Sequence, residues 1–169
     1  MPGMAFSAAR SLRQLQAQFG TMRSLSALPA EQLYATKAPS KWTPSEHLDH
    51  VTRVSLAMLE IALRPDAKPL PQPMNLVGRL ILTIGWIPRG AGKAPARFHG
   101  VRVPTETLNA QLTTLESAVA KIDTRELTGR RVPTIPHPRF GGLTPEQALR
   151  FIAIHIEHHL RIIREILKP

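Results

Sequence analysis

The chain of 169 residues contains no cysteine. A disulfide framework and a thiolate metal site are therefore excluded, and a bound metal would need imidazole, carboxylate or backbone oxygen ligands. The longest apolar stretch, residues 80–86, is far shorter than the roughly 20 residues that cross a bilayer. The first 20 residues also lack an apolar run of signal-peptide length. These absences predict a soluble, cytoplasmic protein with no membrane partner.

Acidic residues are scarce relative to basic ones: 12 Asp and Glu face 22 Lys and Arg, which gives a formal net charge of +10. Such a surplus suits nucleic acid, anionic lipid or an anionic small molecule, and does not choose among them. Aromatic residues make up only 5% of the chain, so the stacking platform typical of single-strand binding proteins is missing. Nucleic acid is therefore disfavoured. Arg89, Lys93 and Arg139 are candidates for binding an anionic substrate, and a merely solvated basic surface is the alternative.

Apolar residues recur at spacings of three and four over five segments, about 5–24, 43–63, 74–84, 104–123 and 144–167. This spacing predicts amphipathic helices. Connectors rich in Pro and Gly separate them, and no segment alternates with period two for long enough to predict a strand. The expected fold is one all-α domain, 1–169, built as an antiparallel four-helix bundle with an additional short helix or long connectors.

The second and last of these helices share one start signal. Thr43 and Thr144 are good N-cap residues, and each is followed by a proline that suits the first helical position. Glu46 and Gln147 lie three residues after the caps, where each can close a capping box. The same two helices also hold most of the histidines.

Five of the seven histidines lie in these two helices: His47 and His50 near the start of one, and His155, His158 and His159 in the middle of the other. Residues three or four apart share a helical face, so His155 can aim at one point together with His159 or with His158. These imidazoles interrupt an apolar face, where burial without a partner is costly. The pattern predicts a divalent-metal site, zinc or nickel, with three neutral imidazoles and one open position. The alternative is a set of hydrogen-bonded histidines in a wet bundle interior.

Three motifs in the sequence resemble the DinB/YfiT-like superfamily of four-helix bundles, whose members are described as metalloenzymes. Residues 42–50 read W-T-P-S-E-H-L-D-H, similar to the pattern W-[ST]-x-x-E-x-L-x-H, and residues 155–159 read H-I-E-H-H, which contains H-x-x-x-H. Residues 137–145, H-P-R-F-G-G-L-T-P, look like the HPxFGxLTP stretch of a subgroup of unknown function.

The resemblance implies three metal ligands, His50, His155 and His159. We expect His47 and His158 to support them from outside. His47 is an additional imidazole one turn before His50, so either of the two could be the ligand. The resemblance also implies that the third and fourth helices cross in parallel over a long connection, which residues 88–104 could supply. Some relatives transfer low-molecular-weight thiols or isomerise thiol adducts. A metal-dependent transferase or hydrolase acting on a small anionic or thiol substrate is therefore expected.

Glu46 and His137 are the candidates for a catalytic acid or base. Glu46 could orient an imidazole or accept a proton, although its capping role explains it equally well. His137 could donate a proton at the mouth of the site, or simply cap a turn. The rival functions are a non-catalytic metal- or ligand-binding bundle and a basic, nucleic-acid-associated stress protein. Helical bundles of this type often pair through an exposed helix face, so we expect a homodimer.

Overall fold

The computed structural model of the protein describes residues 7–90 and 94–168, and helices dominate it. Their order is α1 (Ala8–Ser26), α2 (Ala30–Leu33), α3 (Pro44–Ala62), α4 (Leu76–Ile84), a 3₁₀ turn (Ala96–Phe98), α5 (Thr105–Ala120), α6 (Thr124–Gly129) and α7 (Pro145–Ile166). The predicted all-α class is confirmed. All five predicted helices are present, as α1, α3, α4, α5 and α7, with ends within a few residues of those expected. The predicted start of the first helix, near Ala5, lies outside the described residues.

Both predicted capping boxes are formed. At the start of α3, the Glu46 N–H donates to Thr43 Oγ1 at 3.3 Å, and the Thr43 N–H donates to Glu46 Oε2 at 2.7 Å. At the start of α7, Thr144 and Gln147 exchange the same two bonds at 3.3 and 3.0 Å. Because these bonds satisfy N–H groups that the first turn leaves open, they fix where each histidine-bearing helix begins.

Four long helices surround the main core. Helices α1 and α3 each pack against both α7 and α5. The His47 ring nitrogen lies beside His159 and that of His50 beside His155, so α3 and α7 run antiparallel. The buried side chains between the four helices include Leu15, Met22, Leu48, Leu112 and Ile152. No helix among the described residues is both long and apolar enough to span a bilayer.

Helices α3 and α5 run in the same direction. Ser45, near the start of α3, bonds to Val103 just before α5, while Asp49 accepts a bond from Gln111 further along it. A parallel crossing over a long connection is therefore present. It joins the second and fourth of the predicted helices, α3 and α5, and not the third and fourth as expected, because the shorter helix α4 and the 3₁₀ turn lie within the connection.

A β-hairpin precedes α7, contrary to the expectation that the chain forms no strand. Strand β1 (Ile135–His137) pairs antiparallel with β2 (Gly141–Leu143). Three residues on each side are too few for an alternating pattern to show in the sequence. The hairpin is held from outside: the Gly142 N–H donates to Gln72 O at 3.1 Å, and a Cβ at position 142 would lie 2.4 Å from that oxygen. Only glycine allows this approach.

Candidate metal centre

Three imidazoles from two antiparallel helices converge inside the bundle. His155 Nε2 lies 3.4 Å from His50 Nε2 and 3.1 Å from His159 Nε2, and one nitrogen of each ring falls within 4.8 Å of the other two. His50 and His159 are buried and His155 is half-buried. The structure thus brings together the three histidines that the sequence predicts as ligands. We call them the histidine triad.

The spacing of the triad suits one divalent ion. Zinc–imidazole bonds of about 2.0–2.1 Å in a tetrahedron place neighbouring ligand nitrogens roughly 3.3–3.4 Å apart. The two observed separations, 3.4 and 3.1 Å, lie close to that edge length. Three ligands would fill three corners and leave the fourth open. The donor set and its geometry therefore fit a divalent metal.

Burial keeps these imidazoles neutral, which is the form that binds metal. Desolvation lowers the pKa of His155 and His159 well below the ordinary value, and nearby imidazoles lower it further. The pKa of His50 is also lowered, mainly by burial and despite its bond to the Phe98 carbonyl. Protons would therefore compete little with an ion near neutral pH.

His50 is oriented by the backbone of the 3₁₀ turn. Its Nδ1 lies 2.5 Å from the Phe98 carbonyl oxygen. Because a carbonyl only accepts, Nδ1 carries the proton and Nε2 presents its lone pair to His155 and His159. The Phe98 carbonyl therefore decides which His50 nitrogen faces the other two imidazoles of the triad.

A buried carboxylate holds this segment against α3. Asp49 is 2% exposed and accepts bonds from Arg53 Nη2 at 2.7 Å, the Val101 N–H at 3.0 Å and Gln111 Nε2 at 2.9 Å. Burial alone would raise the pKa of Asp49, but the bonds from Arg53, Gln111 and Val101 outweigh it, and the pKa lies below the ordinary value. Asp49 therefore stays ionised.

Arg53 also bonds to the backbone carbonyls of the residues on either side of Phe98. Its Nη1 donates to Arg97 O at 2.9 Å and its Nη2 to His99 O at 2.5 Å. Residues 97–101, called the clamped loop below, are thus fixed to α3 by Asp49 and Arg53 together. One turn of α3 therefore carries both His50 and the residues, Asp49 and Arg53, that hold its hydrogen-bond acceptor, Phe98 O, in place.

His159 is oriented by a chain of side chains. Its Nδ1 lies 2.8 Å from His47 Nδ1, and His47 Nε2 lies 2.9 Å from Ser40 Oγ. When His159 Nε2 faces an ion, its Nδ1 proton is donated to His47, and the His47 Nε2 proton is donated to Ser40. Desolvation, reinforced by His50 and His158, lowers the pKa of His47 to about 3. The structure therefore places His50 in the triad and His47 behind it, as an acceptor.

His155 has no comparable support. Its Nδ1 is buried, and no hydrogen-bond partner for it exists among the described residues. Its ring instead stacks on Phe151, with centroids 5.2 Å apart and planes at 18°. Packing, not hydrogen bonding, therefore orients this imidazole.

Trp42 covers the triad from one side. The centroid of its ring system lies 5.1 Å from that of His50 and 6.4 Å from that of His159. The indole contacts both triad helices and also His47, at 5.5 Å. The residue that opens the first sequence motif therefore acts as an apolar wall of the centre.

Comparison with known protein families gives one result. A model of the DinB superfamily matches residues 13–163. The chain belongs to the DinB superfamily. No curated protein and no solved structure matches it in the corresponding searches. Membership and the histidine triad together point to divalent-metal binding, and the subgroup suggested by residues 137–145 stays a prediction.

The remaining predicted histidines of this DinB protein lie around the triad. His158 is half-buried beside His159, with ring centroids 5.2 Å apart, and its Nδ1 donates to Ile87 O at 3.1 Å. His137 ends strand β1, next to the hairpin turn, and its Nδ1 accepts the N–H groups of Arg139 and Phe140 in that turn. Its ring contacts Phe151, which separates it from His155. The turn-capping role foreseen for His137 is thus present.

The other candidates for catalysis and anion binding differ in how far they are engaged. The Glu46 carboxylate closes the capping box of α3. The Arg89 guanidinium is bonded to the Glu165 carboxylate. Arg139 is exposed in the hairpin turn, and Lys93 lies outside the described residues. The structure brings none of the described candidates into contact with the triad nitrogens.

Apart from His47, sequence reasoning missed the residues that support the triad. Asp49 and Arg53 are four apart on α3, a spacing from which an ion pair can be read. Ser40 lies in a connector and gives no comparable signal. Phe98 contributes a carbonyl oxygen, which every residue possesses, so no side-chain pattern could have identified it.

Proposed function

We propose that this DinB protein is a metal-dependent enzyme that holds zinc or nickel on His50, His155 and His159. The observation that supports this best is the convergence of three Nε2 atoms. His155 Nε2 lies 3.4 Å from that of His50 and 3.1 Å from that of His159, which is the spacing of a tetrahedral ligand set. A bound ion there would act as a Lewis acid and lower the pKa of a water or thiol at the open position. Transfer of a low-molecular-weight thiol and hydrolysis are the two reaction classes that fit.

The protein's own residues prepare the centre. Phe98 O and His47 Nδ1 accept the Nδ1 protons of His50 and His159, which holds both Nε2 lone pairs toward the point where the ion would bind. Trp42 shields one side from water. The substrate we propose is small, and either anionic or a thiol. Among the basic candidates, Lys93 and Arg139 would attract an anion, whereas Arg89 already neutralises Glu165.

The first test is metal content. The protein would be purified without a metal-affinity tag, and bound metals would be measured by elemental mass spectrometry in wild type, His155→Ala and His159→Ala. We expect close to one ion per chain in wild type and a large loss in both variants. His137→Asn, which changes a histidine outside the triad, should keep the ion.

A wild-type protein that takes up no zinc or nickel, even after incubation with an excess, would overturn the proposal. With the ion established, the loaded protein would be assayed for thiol transfer to electrophiles and for ester and amide hydrolysis. Turnover that disappears in His155→Ala supports the enzyme. A loaded protein without turnover on either class of substrate supports the rival, a metal-binding bundle that is not catalytic.

A further inference from the structure

Helix α4 exposes an apolar face. Leu76 is 80% exposed, Val77 59%, Leu80 58% and Ile84 60%, and Trp86 just beyond the helix is 46% exposed. The opposite face, with Gly78, Ile81 and Leu82, packs into the protein. Soluble monomers rarely leave so many neighbouring large apolar side chains in water. We call Leu76, Leu80 and Ile84 the α4 ridge.

The three residues of the α4 ridge are evenly spaced about Leu80, so a two-fold rotation about an axis near Leu80 places the ridge of one copy opposite the ridge of the other. Leu76 lies four residues before Leu80, and Ile84 lies four residues after it. Such an i, i+4 row is the ridge that interdigitates in the commonest class of helix packing. If two copies cross at Leu80, Leu76 of one copy meets Ile84 of the other on both sides of the axis. An isologous interface needs this self-complementarity.

The exposed area is also adequate. An aromatic side chain presents roughly 150–250 Å² and an aliphatic one somewhat less, so Leu76, Val77, Leu80, Ile84 and Trp86 together leave on the order of 500 Å² of mostly apolar surface per copy. A standard interface buries about 800 Å² per partner, with an apolar centre and a polar rim. The exposed residues Arg79 and Thr83 of α4 lie beside the ridge and would supply part of that rim.

We propose that α4 pairs with α4 of a second copy of this chain, about a two-fold axis that passes near Leu80. A lipid surface fits the helix less well, because interfacial helices are rich in Lys and Arg on their polar face. Helix α4 has nine residues, of which only Arg79 is basic. Since each copy carries a net charge of +10, added salt should strengthen the dimer by screening repulsion.

The oligomeric state tests this directly. Sedimentation equilibrium of the purified full chain should give twice the mass of the 18.7 kDa protomer, with tighter association at higher salt. Leu80→Glu places a charge at the centre of the contact and should raise the dissociation constant about a hundredfold or more. Val132→Glu, at an exposed apolar position outside α4, makes the same type of change and should leave the dimer intact.

The lack of cysteine allows a second test, which reports where the two-fold axis lies. Leu80→Cys introduces the only thiol in the chain, and a two-fold axis near Leu80 places the two thiols within reach of each other. Mild oxidation with diamide should give a covalent dimer in high yield and at low protein concentration. Val132→Cys is the matched control and should crosslink far more slowly.

A wild-type protein that remains monomeric at high concentration and high salt would overturn the proposal. So would a Leu80→Glu variant that dimerises as tightly as wild type. If the monomer instead binds phosphatidylserine vesicles, loses that binding in Leu80→Glu and binds less at high salt, the face belongs to a membrane surface. Circular dichroism and metal content of each variant would show that the protomer is intact.

Discussion

Asp49→Asn tests whether the clamped loop sustains the metal centre. The substitution keeps the size of the side chain but removes its charge and replaces one acceptor oxygen with an NH₂ donor. Asp49 Oδ1 accepts from Gln111 and Oδ2 accepts from the Val101 N–H, while Arg53 donates to both oxygens. Whichever way the amide is turned, its NH₂ group therefore faces another donor.

The expected loss of stability follows from burial. Breaking a buried ion pair by removing one partner costs about 3–5 kcal/mol. The Asp49 side chain is 2% exposed but that of Arg53 is 29% exposed, so water compensates in part. The lower end, about 3 kcal/mol, is the expected loss. Because the loop also supplies Phe98 O to His50, zinc affinity should fall about 10–100-fold.

Helix α3 provides a matched control. Glu60 and Arg64 form an ion pair with the same four-residue spacing, but their side chains are 65% and 56% exposed. Glu60→Gln should therefore cost less than about 0.5 kcal/mol and leave zinc affinity unchanged. Urea unfolding of the metal-free protein measures the first quantity, and competition with a chromophoric chelator measures the second.

Two results would refute this reasoning. If Asp49→Asn is no more destabilising than Glu60→Gln, the buried carboxylate does not anchor the loop. If Asp49→Asn is destabilising but binds zinc as tightly as wild type, the loop does not hold His50 in its productive orientation.

Three further predictions concern other parts of the structure. His47→Leu removes the acceptor of the His159 Nδ1 proton and should weaken zinc binding about 10–100-fold in a chelator competition. Gly100→Ala would place a Cβ 2.2 Å from a backbone oxygen of α3 and should destabilise by about 1–3 kcal/mol in urea, whereas Gly20→Ala, with open space in mid-helix, should stabilise by about 0.5–1 kcal/mol. Burial and the nearby Arg139 lower the pKa of His137 to about 4, below the roughly 6.5 of the unfolded chain, so its contribution to stability is lost as pH falls from 6.5 toward 4. Metal-free wild type should therefore lose about 2 kcal/mol more than His137→Asn between pH 7 and pH 5.

The helices were predictable because their signals are local. Thr43 and Thr144, each with a proline after it and a Glu or Gln three residues on, form the caps that the sequence indicates. The spacing of His155 and His159 on one face is likewise a property of a single helix. Such features depend on a few neighbouring residues, so they can be read without knowing the rest of the fold.

The hairpin and the choice between His47 and His50 were not predictable in this way. The hairpin depends on backbone bonds from residues 72–75, which lie more than 60 positions earlier. His47 and His50 are one turn apart on the same helix, so periodicity cannot separate them. The packing of α7 against α3 decides it, because it places His50 beside His155 and His47 behind His159.

The clamped loop acts on the centre through its backbone, and this bears on how its sequence can vary. The carbonyls of residues 97–99 and the N–H of residue 101 make the bonds to His50, Arg53 and Asp49. Substitutions at positions 97–99 change the side chains but leave these backbone atoms in place. The side chains there can therefore vary, in evolution or by design, while His50 keeps its tautomer. Position 100 is different, since any side chain there meets the backbone of α3. Within the loop, the orientation of His50 thus depends on loop length and on Gly100, while the side-chain bonds that hold the loop come from Asp49 and Arg53 of α3.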